Sequence, residues 1–105
     1  MTMDRPAPEA CATMAEVRRG VDALDREIVR RLAERFRYMD AAARIKPERG
    51  AVRDEARKAE VLRNVAAHAR AENAPEAAIV ALYDRLIEAS IAYEFDRFDA
   101  LRTAG

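Results

Sequence analysis

From Met14 onward, apolar residues recur at three- and four-residue steps, at Met14, Val17, Val21, Leu24, Ile28, Leu32, Met39 and Ala42, and no proline interrupts before Pro47. That period belongs to a helix with one apolar face. It predicts a single helix of about 33 residues, about 50 Å long at about 1.5 Å per residue. A compact chain of 105 residues has a radius of gyration of only about 13 Å. The helix overshoots its own domain. Two shorter helices of the same chain cannot cover so long a stripe, so the remainder is expected to meet a second copy of the protein, most simply in an intertwined dimer.

Pro47 biases Lys46 away from helical geometry and closes this first helix, and the stretch from Pro47 to Arg53, with Gly50 inside it, reads as a loop. Asp54 is placed as the N-cap of a second helix through Ala56, Ala59, Leu62, Val65, Ala66 and Ala69, stopping around Asn73 and Ala74. Pro75 suits the first turn of a third, whose apolar positions are Ile79, Leu82, Tyr83, Leu86, Ile87, Ile91, Phe98 and Leu101. Few Gly and few aromatic residues agree with an all-α chain of three helices, one long, one medium and one long. Residues 1–11, with Pro6 and Pro8 and few large apolar side chains, read as a flexible N-terminal tail, and residues 12–105 as one helical domain.

The 19 basic and 19 acidic residues balance, which removes the basic footprint of a nucleic-acid binder. No apolar run approaches the roughly 20 residues of a membrane span, and residues 1–10 carry charges and prolines where a signal peptide has its apolar core, so a cytoplasmic place is expected. Cys11 and His68 are the only residues of their kinds, so neither an intrachain disulfide nor a thiolate or imidazole metal site can be assembled from them. Cys11 reads as inert and His68 as a surface or packing residue. Tyr83, Tyr93, Phe95 and Phe98, at helical spacing, read as core.

Charges fall where core residues belong. On a helical wheel with Leu24 at zero, Arg35 lies at about 20° and Lys46 at about 40°, inside the apolar stripe, and Arg18 at its edge, about 120°. On the third helix, with Ile79 at zero, Ser90 lies at about 20° and Glu94 at about 60°. An unpaired charge there costs several kcal/mol. Two readings stand: these groups pair with one another as buried salt bridges, or they face an anionic ligand. The cations outnumber the acids, and Arg57 near the start of the second helix adds another. Such a cluster suits a small dianion, because guanidinium grips carboxylate in a bidentate fork.

From about Met14 to Phe98 the pattern Val17-Arg18, Leu24-Asp25, Leu32-Ala33-Glu34-Arg35, Lys46, Val52-Arg53-Asp54 and Arg57 resembles the all-α chorismate mutases and the isochorismate-pyruvate lyases that share their fold. The resemblance implies a homodimer with sites shared between chains, a small dicarboxylate substrate and no cofactor or metal. It implies that Arg18 reaches into the partner subunit's site, that Arg35 and Arg57 each hold a carboxylate, and that Lys46 contacts the ether oxygen whose bond breaks. Asp54 and Ser90 match positions bordering the ring hydroxyl and a carboxylate. Two positions depart from the pattern. Glu94 stands where many bacterial members have Gln, and an ionised Glu would repel the ether oxygen, so it has to carry a proton to help. Lys58 stands where some members have a Glu facing the ring hydroxyl, and the stretch from Tyr38 to Lys46 looks like the pyruvate-lyase branch.

The implied reaction is the Claisen rearrangement of chorismate to prephenate, which needs no nucleophile, base or metal. Catalysis is expected from holding a near-attack conformer, through Arg18, Arg35 and Arg57, and from donors at the developing charge, Lys46 and neutral Glu94. The alternatives are an isochorismate-pyruvate lyase and, from another class, a non-catalytic helical dimer that docks onto or regulates another enzyme.

Overall fold

The computed structural model describes residues 5–103. Three α-helices follow in order, α1 (Met14–Ile45), α2 (Glu55–Ala71) and α3 (Glu76–Thr103), with one-turn 3-10 helices at Pro8–Ala10 and Arg49–Ala51. No strand occurs among the described residues. The chain divides into two compact units, one up to Arg37 and one from Tyr38 onward.

In the first unit, α1 opens on a reciprocal cap. The Glu16 N–H donates to Thr13 Oγ1 at 3.2 Å, while Glu16 Oε1 accepts from the N–H groups of Ala12 and Thr13 at 2.8 and 3.0 Å. Two donors that a helix start leaves without partners are thereby satisfied, and the two backbone bonds, Ala12 first, hold the Glu16 carboxyl below its ordinary range. Of the segment expected as a flexible tail, residues 5–11 are described. They carry the Pro8–Ala10 turn, and Arg5 lies 3.7 Å from Glu27. Gly20 meets this segment, with the Pro6 carbonyl and the Arg5 side chain 3.8 Å from where its Cβ would be. Ala23 is buried, whereas Met14, Val17, Val21, Leu24 and Ile28 are exposed, Ile28 by 50%. The apolar stripe is as regular as its period indicated, and nothing in the chain's first unit covers it.

In the second unit, the end of α1 and helices α2 and α3 share a small core of Ala43, Val52 and Phe98, against which Ile91 and Phe95 pack. Ala43 is fully buried. A single methyl at this position lets the last turn of α1 approach the phenyl ring of Phe98, whose burial stabilises by about 1.5–3 kcal/mol. The stretch read as a loop between α1 and α2 contains the Arg49–Ala51 turn, closed by Ala51 N–H to Glu48 O and Val52 N–H to Arg49 O. The turn delivers Val52 to the core. Asp54 caps α2, its Oδ1 accepting the Arg57 N–H at 3.0 Å.

Helix α2 ends in a paired bond pattern, Ala74 N–H to Ala69 O and Asn73 N–H to Arg70 O, with Asn73 in the left-handed region at φ 56°. This is the termination that an Asn tolerates better than most side chains. Along α3, Ile87, Ser90, Glu94 and Phe98 are buried at three- and four-residue steps. Leu82 and Leu101, expected on the same apolar face, are exposed.

Candidate active site

A carboxylate buried in the middle of a helix has to find a counter-charge, and Glu94, at 4% exposure, is the most enclosed acid among the described residues. Its partner is Lys46, the residue after the last turn of α1. The Lys46 Nζ lies 2.7 Å from Glu94 Oε2. The ammonium is off the direction of a hydrogen bond, and Oε2 has no hydrogen-bonding partner in the protein although it is buried. Nζ also points to the Val52 carbonyl at 3.5 Å, a distance at which little hydrogen-bond energy remains. Attraction of charges holds this pair more than directed bonding, and the oxygen retains its capacity for a donor. Ser90, one turn before Glu94 on the same buried face, donates through Oγ to the Leu86 carbonyl at 2.7 Å.

Why Lys46 arrives there is a matter of how α1 ends. Pro47 cannot continue the helix, and the Lys46 N–H makes the final helical bond to Ala42 O at 2.9 Å. The carbonyls of the last turn then need outside donors. Arg102 supplies two, one to Ala43 O at 2.6 Å and one to Lys46 O at 2.7 Å, while its guanidinium lies 3.7 Å over the Phe98 ring.

The other residues singled out from the sequence sit as follows. Asp54 is exposed and occupied as the cap of α2, and Arg57, also exposed, reaches Glu60 at 2.9 Å. Lys58 is turned onto α3, 2.9 Å from Asp84 and 2.7 Å from Glu88. Glu88 also accepts from Arg53 at 2.7 Å, and these bonds, Arg53 first and Lys58 second, hold its carboxyl down at about 2. The same contacts, Glu88 before Asp84, raise the Lys58 ammonium above its ordinary value. Arg18 and Arg35 belong to the first unit, Arg18 exposed and Arg35 half-buried on α1. Within the second unit, then, Lys46, Ser90 and Glu94 fall on or against one buried stripe of α3, and Asp54, Arg57 and Lys58 share the first turns of α2.

Sequence reasoning passed over several contacts of this unit. The Tyr93 hydroxyl donates to Asp40 Oδ1 at 2.7 Å, which raises the phenol above its ordinary value, and Arg97 Nε lies 3.2 Å from the same oxygen. Arg49 pairs with Asp99 at 2.9 Å and covers Phe95. These partners stand some fifty residues apart in the chain, and helical periodicity carries no signal of which pairs will meet. Among the described residues no group of three or more His, Cys, Asp or Glu is arranged to hold a metal ion, and no helix is long and apolar enough to cross a membrane.

Chemically, a buried carboxyl beside an ammonium can present two donors, the ammonium and a protonated carboxyl, to one oxygen atom of a ligand in a site of low dielectric. Residues 17–95 match the family model described as Chorismate mutase type II. No curated protein matches the chain.

Proposed function

The chain belongs to the chorismate mutase type II family, isomerases that rearrange chorismate to prephenate, and we propose that it does so with Lys46 and Glu94 as the donors at the breaking bond. The observation that carries this reading is the Lys46–Glu94 pair itself, a cation and an acid 2.7 Å apart on the buried face of α3.

In the rearrangement the ether C–O bond breaks as a new C–C bond forms within the same molecule, and negative charge gathers on the ether oxygen. The Lys46 ammonium stabilises that charge more than it stabilises the ground state, which is what raises kcat, and Glu94 adds a second donor when it carries a proton. Arg18, Arg35 and Arg57 grip the two carboxylates and hold the side arm over the ring, Arg18 from the partner chain of a homodimer, with Asp54 and Ser90 bordering the substrate. The exposed stripe of Val17, Val21, Leu24 and Ile28 supports the dimer, because a monomer that leaves it in water forgoes burial worth about 1.5–3 kcal/mol per large side chain.

A second reading, isochorismate-pyruvate lyase, is favoured by one observation. Lys58, where some members carry a Glu facing the ring hydroxyl, spends its charge on Asp84 and Glu88, so that hydroxyl is recognised by other means here. Incubating the purified protein with chorismate and, separately, isochorismate tests both. Prephenate from chorismate supports the mutase; pyruvate and salicylate from isochorismate, with chorismate untouched, supports the lyase; no product from either would leave a non-catalytic dimer.

A further inference from the structure

We propose that Arg102 is a positioning residue that sets the place of the Lys46 ammonium, an inference that rests on the mutase reading above for its kinetic consequence. Lys46 stands at the boundary between a helix and a loop, followed by Pro47, and its side chain has several rotatable bonds. Its reach to Glu94 is defined only if its backbone is held. Beyond its own helical bond to Ala42 O, that backbone is held by the side chain of Arg102, which donates to the Ala43 carbonyl at 2.6 Å and to the Lys46 carbonyl at 2.7 Å. These are two of the carbonyls that the end of a helix leaves without partners, and a cation there also meets the negative end of the helix dipole.

Arg102 is itself fixed. Its guanidinium carbon lies 3.7 Å over the ring of Phe98, which is buried with Ala43 and Val52. Phe98 lies one turn beyond Glu94 on the same buried face of α3. Helix α3 therefore holds Lys46 at both ends, its carbonyl through Arg102 and its ammonium through Glu94. The planar fork of a guanidinium suits this task, because both N–H groups are pre-aimed and little further freedom is lost in making the second bond. A lysine at the same place reaches one carbonyl at a time.

The alternative is that Arg102 only closes the helix end and steadies the fold, and two readouts separate the roles. Lys46 and Lys58 are the only lysines of the chain, and Lys58 pairs with Asp84 and Glu88 away from Arg102. The full chain and its Arg102→Gln and Arg102→Lys variants are pulse-labelled with acetic anhydride below their unfolding temperatures, and acetylation of each lysine is followed by peptide mass spectrometry. Arg102→Gln is expected to speed acetylation of Lys46 several-fold, Arg102→Lys to restore part of the protection, and Lys58 to stay unchanged. Acceleration at both lysines, or at neither, would overturn the proposal.

The kinetic arm uses chorismate. A displacement near 1 Å costs about a hundredfold in a near-attack geometry, so Arg102→Gln should lower kcat by about ten- to a hundredfold while KM moves by less than about threefold. In a Lys46→Met background the same substitution should change residual kcat by less than about twofold, since the group it positions is gone. Equal losses in both backgrounds would make Arg102 a general stabiliser and overturn the proposal. A wild-type chain that leaves chorismate untouched refutes the mutase reading, and the acetylation arm then decides the positioning by itself.

Discussion

At the scale of single residues, Glu94 concentrates the chemistry. It is an acid at a core position, and the Lys46 ammonium lies 2.7 Å from it as its counter-charge. Lys46→Met removes the charge that compensates the buried Glu94 carboxylate, so the variant should be less stable than the natural chain at pH 7. Urea unfolding measures this, and an unchanged midpoint would mean that the pair contributes no charge compensation. In turnover of chorismate the same variant should lose about a hundredfold or more in kcat, the usual cost of removing one donor from a developing oxyanion. Glu94→Gln exchanges a donor that needs a proton for one that does not. Activity of the Gln variant should therefore depend less on pH than that of the natural chain; identical pH profiles would remove Glu94 from the mechanism.

At the scale of elements, the first turns of α2 hold two devices. Asp54 caps the helix through the Arg57 N–H, and losing such a cap costs about 1 kcal/mol. Asp54→Ala should show that loss in thermal unfolding, while Asp54→Asn, which caps comparably but carries no charge, should keep stability and isolate any part the carboxylate has in turnover. The second device ties α2 to α3 through Glu88, which accepts from Arg53 and Lys58 and titrates at about 2 rather than in its ordinary range. Because the folded value is depressed, this contribution is complete above the unfolded value of about 4.3 and fades as pH falls from there to about 2. Glu88→Gln should therefore be less stable than the natural chain at pH 7 and approach it near pH 2.5; a gap in urea midpoint that does not narrow would refute the assignment. The helices themselves were legible in the sequence because caps and stops are local. Pro47 sits just past α1, Asp54 just before α2, and Asn73 in the left-handed turn that ends it. The Arg49–Ala51 turn escaped notice because Gly50 and Pro47 mark irregular chain equally well whether or not it closes a 3-10 bond. Of the candidate site, Lys46 and Glu94 were legible because each violates its own apolar stripe, while Arg102 and the Tyr93–Asp40 contact violate nothing. A charged or polar residue that meets a backbone carbonyl or an acid more than fifty positions away leaves no periodic trace.

At the scale of the whole molecule, the exposed stripe of α1 argues that stability depends on protein concentration. Ile28→Asp places a charge in the middle of that stripe, 50% exposed in the single chain, where it costs little in a monomer and several kcal/mol in a buried interface. Sedimentation should show the natural chain as a dimer and this variant as a monomer, with a melting temperature that no longer rises with concentration; an unchanged dimer would place the interface elsewhere. The connection from α1 into α2 is tied to α3 along its length by opposite charges, Lys46 to Glu94, Arg49 to Asp99, Arg53 to Glu88, and Lys58 to Glu88 and Asp84. The five pairs differ in their access to water, and so in their sensitivity to ionic strength. In 1 M salt, where screening acts over about 3 Å, the surface pairs of Arg49 and Arg53 lose most of their attraction while the enclosed pair at Glu94 keeps its own. Added salt therefore weakens this fastening from the outside inward, the exposed pairs of Arg49 and Arg53 first and the Lys46–Glu94 contact last, while Val52 keeps the segment between them seated in the core.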